Sequence, residues 1–125
     1  MENEKKEIEN SKSLELAKAF LGKTITVTID RPLNSLHPKY GFKYEANYGY
    51  LEGITAPDGE DLDAYFLGIT KPVEKGSGLC IAIVHRKDND DDKLVVVPAG
   101  IEMTDEEIMK AVHFQEQWFD SELLR

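Results

Sequence analysis

Two short runs, Leu79-Cys80-Ile81-Ala82-Ile83-Val84 and Leu94-Val95-Val96-Val97, are apolar at every position. A strand with one wet face alternates apolar and polar residues, so a run with no polar position must be covered on both faces. Both runs therefore predict central strands, the second ending at Pro98. Thr24 to Ile29 alternates threonine with Ile25, Val27 and Ile29, the period of a half-buried strand rich in β-branched residues. Phe42 to Tyr50 and Asp63 to Leu67 also read as strands, and Gly53 and Pro57 bracket a short one. Prolines, glycine, asparagine and serine make residues 30–41 a loop, and residues 71–78 form another.

Helical patterns occur only at the two ends. Residues 1 to about 22 begin charged and then carry Leu14, Leu16, Ala17, Phe20 and Leu21, which predicts a helix stopped by Gly22. Near the other end, Thr104-Asp105-Glu106-Glu107 has the form of a capping box, with acids suited to a positive helix end. Ile108, Ala111, Val112 and Phe119 follow at helical spacing with Phe114 and Trp118 beside them, and all are read as core. Helix, several strands, helix is an order without strand–helix alternation. It predicts a mainly β fold with flanking helices, a small antiparallel or mixed barrel, divided into a helical extension (1–22) and a barrel domain (23–125).

A length of 125 residues suits one domain with one core. The net charge of −9 argues against nucleic acid or an anionic membrane as partner, since both need a basic face. Cys80 is the only cysteine and lies in an apolar run, so it reads as a small buried hydrophobe and a thiolate zinc site is excluded. His37, His85 and His113 have no ligand-like spacing and read as structural or surface residues. The polar start, with no long apolar segment after it, carries neither a secretory signal nor a membrane span, so the expected location is cytoplasmic.

Chemistry concentrates at Asp58-Gly59-Glu60-Asp61-Leu62-Asp63, where four carboxylates fall within six residues. An Asp-Gly pair between apolar segments is by itself a hairpin turn. The flanks Asn47-Tyr48-Gly49-Tyr50 and Ala64-Tyr65-Phe66-Leu67-Gly68 bring tyrosines to the same turn, and Asp-x-Glu-x-x-Asp at a strand end can aim carboxylates at one hard cation. A second acidic run, Asp88-Asn89-Asp90-Asp91-Asp92, reads on composition as a solvated hairpin tip.

The order Tyr44, Asn47-Tyr48-Gly49-Tyr50, Asp58 to Asp63, then Lys93-Leu94-Val95-Val96-Val97-Pro98 resembles the soluble inorganic pyrophosphatase family over residues 24 to 120. That resemblance implies a five-stranded barrel similar to an OB fold, which matches the five longer strands read above and leaves the short one between Gly53 and Pro57 over. It implies that Asp58 and Asp63 match outer metal-binding aspartates, and that Glu60 stands where the family has a middle aspartate that also helps activate water. Asp91 and Lys93 match a later metal ligand and a phosphate-binding lysine, with Asp88 as a further candidate ligand, while Tyr44 and Tyr48 match tyrosines lining the site. Upstream, Asp30-Arg31-Pro32 and Lys39 fit the family's early strand, which leaves its arginine hairpin absent. A rival alignment places Asp30-Arg31 in the arginine strand itself, but the distance to Tyr44 is then too long, so the first alignment is preferred and Arg31 is kept as a candidate phosphate ligand beside it. Where the family presents a Tyr-Lys pair after a His-Phe step, this chain has His113-Phe114 and then Trp118-Phe119. Each lost charged hydrogen bond costs about 1.5–3 kcal/mol of phosphate binding.

The function expected from the resemblance is hydrolysis of pyrophosphate by a metal-activated water. Mg2+, or Mn2+, would be held by Asp58, Glu60, Asp63, Asp91 and Asp88, with Glu60, Asp63 and Lys93 catalytic and Lys39, Tyr44, Tyr48, Lys93 and Arg31 binding substrate. Homo-oligomerisation is consistent with the family. Two alternatives stand beside it: an inactive barrel that binds a phosphate compound or a protein partner, and a hydrolase of another phosphoanhydride such as a nucleotide.

Overall fold

The computed structural model describes residues 12–89 and 91–125; the first part of the expected N-terminal helix and Asp90 lie outside the described residues. In chain order the elements are α1 (Lys12–Lys18), β1 (Thr24–Arg31), β2 (Asn47–Thr55), β3 (Asp61–Phe66), β4 (Lys75–Arg86), β5 (Lys93–Val97), α2 (Asp105–Glu116) and β6 (Ser121–Leu124). The strands pair in the order β1-β2-β3-β5-β4-β6, and β4 also pairs with β1. β1 to β5 thus close into the expected five-stranded OB-like barrel, leaving β6 as an added edge. All pairings are antiparallel except β3 with β5, where Tyr65 lies opposite Val95.

Alternation along the strands divides the apolar residues into two clusters. Val27, Ile29, Leu51, Leu62, Ala64, Phe66, Cys80, Ile83, Leu94 and Val96 come from all five barrel strands and fill its interior, joined by Leu14 and Ala17 of α1. Residues of the opposite face on three strands, including Tyr65, Val84, Val95 and Val97, pack against Ile108, Val112 and Phe114 of α2, a bulge between Cys80 and Ala82 shifting the alternation of β4. Leu94 to Val97 is buried at every position for this reason, as is Ala82-Ile83-Val84, whereas the first run departs from expectation at its start, where Leu79 is 41% exposed and Ile81 half-buried. Cys80 is 1% exposed, and burial pushes its thiol up to about 11, as expected of a packing residue.

Several boundaries differ from the sequence reading. Residues 42–46 are not strand, because their backbone bonds back to the preceding loop: Asn34 N–H donates to the Tyr44 carbonyl, Tyr44 N–H to Ser35 and His37 N–H to Phe42. β4 begins at Lys75, inside the expected loop, and pairs there with β1. β6, unforeseen, runs antiparallel to the end of β4, with Glu122 opposite His85. Trp118 is not core; it is 59% exposed. The capping box is as expected: the Thr104 hydroxyl accepts from Glu107 N–H, and Glu107 Oε1 accepts from Thr104 N–H.

The second acidic run is not a solvated tip at its C-terminal end. Asp92 is buried, and its Oδ1 lies 2.9 Å from His85 Nδ1 and accepts from Arg86 N–H at 2.9 Å, while Ser13 Oγ donates to Oδ2 at 2.9 Å. This carboxylate joins α1, β4 and β5. Its neighbour Asp91 points the other way, because successive residues of an extended chain face opposite sides.

Candidate active site

The cationic end of β5 meets the acidic end of β3 on the outer face of the barrel. The parallel register that sets Ala64 against Leu94 continues one step back to Asp63 and Lys93. Lys93 Nζ donates to Asp63 Oδ2 at 2.6 Å and to Asp91 Oδ1 at 2.7 Å. The lysine side chain is 3% exposed and its two carboxylates are 30% and 34% exposed. The ammonium is thus sealed behind two acids that reach solvent. Charge-assisted bonds this short are the strong ones, and a buried ammonium needs them.

A second ion pair lies beside the first. Arg86, last residue of β4, donates through Nε to Glu116 Oε1 at 3.0 Å and through Nη2 to Glu116 Oε2 at 2.9 Å, and its Nη1 donates to Asp91 Oδ2 at 3.2 Å. The guanidinium also lies 3.6 Å from the centre of the Phe119 ring. Glu116 further accepts from Tyr65 Oη at 2.6 Å and from Ser121 Oγ at 2.8 Å, and Gln115 Nε2 donates to Tyr65 Oη at 2.8 Å. Burial alone would raise the Glu116 carboxyl, but the bonds from Arg86 and Tyr65 and the Arg86 charge hold it below its ordinary value. For Arg86, burial opposes the charge, and the bonds and charges of Glu116 and Asp91 outweigh it, raising its pKa.

Asp63, Arg86, Asp91, Lys93, Gln115 and Phe119 line one side of a cavity of about 740 Å³ between the barrel, the C-terminal end of α2 and the loop of residues 32–46, with Glu116 and Tyr65 behind them. Arg31, Tyr44, Tyr48, Asp63, Asp91 and Lys93, all foreseen in the sequence, converge on it. Arg31 reaches it from the end of β1, opposite Tyr48 on β2. That approach requires Gly49, since a Cβ there would overlap the Thr28 carbonyl oxygen. Arg31 is the most exposed of the lining cations; its Nη1 donates to the Asp30 carbonyl at 3.2 Å and makes a 4.0 Å ion pair with the Asp30 carboxylate. Burial raises the Tyr44 hydroxyl above its usual range, and burial with the Asp63 and Asp91 charges raises Tyr48 further. Both phenols therefore stay protonated donors. Asp30 is raised too, by burial, with the Asp63 charge adding to it.

The remaining sequence candidates stand apart. Asp58 is exposed in the β2–β3 turn and accepts from Glu60 N–H at 2.9 Å, with Gly59 at φ +89° completing the turn. Glu60 and Asp61 share with Asp63 a neighbouring depression of about 270 Å³. Asp88 accepts from Asp120 N–H at 3.2 Å. Lys39 is exposed, with its ammonium 5.3 Å from the Tyr40 ring centre, and does not line the cavity. Arg86, Glu116, Gln115, His37 and Phe42 were not singled out from sequence.

Among the described residues no three His, Cys, Asp or Glu side chains form a group able to hold a metal ion. A fit to Mg2+ does not depend on one, because that ion keeps several waters and is commonly bound by one or two carboxylates together with substrate phosphates. Asp63 and Asp91 already converge on a single cation position, the one taken by the Lys93 ammonium. An all-oxygen pair of this kind fits Mg2+ or Mn2+.

No protein-family profile matches the chain, and no curated protein matches it. Solved structures do. An inorganic pyrophosphatase from Ehrlichia chaffeensis is 18% identical with a TM-score of 0.63, covering 82% of this chain and 85% of its own. One from Helicobacter pylori is 16% identical with a TM-score of 0.62, covering 82% and 84%. One from Thermus thermophilus is 17% identical with a TM-score of 0.60, covering 81% and 82%.

Proposed function

We propose that this chain, which has the fold of the inorganic pyrophosphatases, hydrolyses pyrophosphate to two phosphates at the cavity on the outer face of its barrel. The observation that carries the reading is the convergence of Asp63, Asp91 and Lys93 with Arg31 and two protonated tyrosines on one cavity. Asp63 and Asp91 would hold a divalent ion arriving with the substrate, and such an ion supplies charge neutralisation and a more acidic water. Lys93 then exchanges its carboxylate partners for a phosphate oxygen, which its flexible four-carbon stem permits. Arg31 binds the other phosphate through its planar donor fork, Tyr48 donates to a phosphate oxygen, and Tyr44 does so by giving up its 3.1 Å bond to Gln115 Oε1. Water attacks phosphorus as the bridging P–O bond breaks, its proton passes to Glu60, and the leaving phosphate departs against Lys93. The depression shared by Glu60 and Asp63 supports that role for Glu60. Asp58, Asp88 and Lys39 act at most from outside the cavity, as ligands or cations met by an approaching metal–substrate complex. Cytoplasmic location and self-association belong to the same proposal.

Phosphate release from pyrophosphate tests it. Asp63→Asn is expected to lower kcat/KM by about 100-fold or more, the scale on which loss of one electrostatic group acts. Unchanged release by the variant would remove Asp63 from the reaction. A second reading, a barrel that binds phosphate compounds without hydrolysis, is favoured by the Lys93 clamp on Asp63 and Asp91. It predicts pyrophosphate binding with no phosphate release.

A further inference from the structure

The cavity is larger and more aromatic than a bare pyrophosphate requires. Its volume of about 740 Å³ is in the range of sites that enclose drug-sized ligands, which are walled mainly by apolar and aromatic groups with a few charges fixing orientation. Away from the cations, the wall is built by His37, Tyr40, Phe42 and Trp118. His37 stacks on Tyr40 and Phe42 with ring centres 5.0 and 4.8 Å apart, and Phe42 meets Trp118 at 5.2 Å. The His37 ring is held in place by Lys39 N–H and Tyr40 N–H, which donate to its Nδ1 at 3.1 Å. Tyr40 and Trp118 nevertheless remain 70% and 59% exposed. Phe119 has one face covered by the Arg86 guanidinium, whereas Trp118 touches only a tilted Phe42 among the described ring contacts. A preorganised aromatic wall with open ring area therefore shares one cavity with Arg31 and the Lys93–Asp63–Asp91 cluster.

We infer that the cavity takes a phosphoanhydride carrying a planar heteroaromatic group, a nucleoside diphosphate, with the base on Trp118 and the phosphates on Arg31 and Lys93. The inference rests on the phosphate-binding reading above and names its substrate class. Stacking a base on an aromatic side chain contributes affinity without base-edge hydrogen bonds, because every base has a π face. The polarity of the ligand follows from Arg31 and from the divalent ion that the phosphates bring to Asp63 and Asp91, which frees Lys93 for the anionic end, while the uncharged ring goes to the open face of Trp118.

Trp118 is the only tryptophan, so its fluorescence reports the site directly. The probes are two non-hydrolysable analogues presented with Mg2+, α,β-methylene-ADP and imidodiphosphate. The nucleotide analogue is expected to change Trp118 emission and to bind at least tenfold more tightly by calorimetry. Trp118→Ala should weaken the nucleotide analogue about tenfold and leave imidodiphosphate unaffected, while Trp118→Phe keeps most of the nucleotide affinity. Equal affinity for the two analogues, or a Trp118→Ala variant that binds both as before, overturns the inference and leaves phosphate binding standing. Failure of a folded protein to bind either analogue overturns both readings and leaves this face to a protein partner.

Discussion

Glu116→Ala is expected to destabilise the fold by about 3–5 kcal/mol, the cost of removing one partner from a buried ion pair. Three of its ligands would lose their acceptor at once: Arg86 through two donors, Tyr65 and Ser121. Arg86 is 5% exposed and would keep only Asp91 and the Phe119 face. Urea unfolding of the two proteins measures the loss. The double variant Arg86→Met with Glu116→Leu should recover most of it, since replacing both charges by apolar groups of similar volume is often neutral. A loss below about 1 kcal/mol for Glu116→Ala would mean that the network is not the tie between α2, β4 and β6. Acid sharpens the test. The Glu116 carboxyl lies below its ordinary value of 4.5, so its contribution is complete above that pH and is lost as pH falls through the lowered folded value. Glu116→Gln should therefore lose less stability than wild type between pH 5 and strongly acidic solution.

Lys93→Met is expected to produce the largest change in chemistry, a fall in kcat/KM for pyrophosphate of about 100- to 1,000-fold. The account gives the ammonium two successive partners, the carboxylates Asp63 and Asp91 before substrate arrives and a phosphate oxygen afterwards. Removing it should thus have two opposite effects. Phosphate binding weakens, but Asp63 and Asp91 lose the cation that occupies their shared position at 2.6 and 2.7 Å, so Mn2+ should bind the variant more tightly than wild type. Calorimetric titration with Mn2+ in the absence of substrate separates the two effects. Weaker Mn2+ binding by Lys93→Met would show that lysine and metal do not compete.

Much of the barrel was legible because its signals are local. The alternation from Thr24 to Ile29 and the apolar runs around Ile83 and Val95 carry their own burial pattern, and the Thr104 capping box is written in four residues. Of the cavity's lining residues, Asp63 stood out in its acidic run, whereas Asp91, Lys93, Tyr44, Tyr48 and Arg31 were candidates through the family resemblance. Arg86 closes an apolar run and passes for the start of a turn, and its partner Glu116 is thirty residues away. One signal was available: Ile108, Val112 and Glu116 are spaced by four on a single helix face, so a carboxylate continues an apolar stripe. Parity explains the second acidic run, where Asp92 turns inward to His85 and Asp91 faces Lys93. Trp118 was counted with the core because its aromatic neighbours are core. It lies past the end of α2, where helical spacing no longer assigns a face.

The central claim is that this cavity cleaves pyrophosphate delivered with a divalent ion, and its most direct test is phosphate release at fixed pyrophosphate while Mg2+ is varied. The account predicts negligible release in the presence of a chelator and an initial rate that rises with the concentration of the magnesium–pyrophosphate complex. No release at any Mg2+ or Mn2+ concentration from a protein shown to be folded, or release that persists undiminished with chelator, would contradict it.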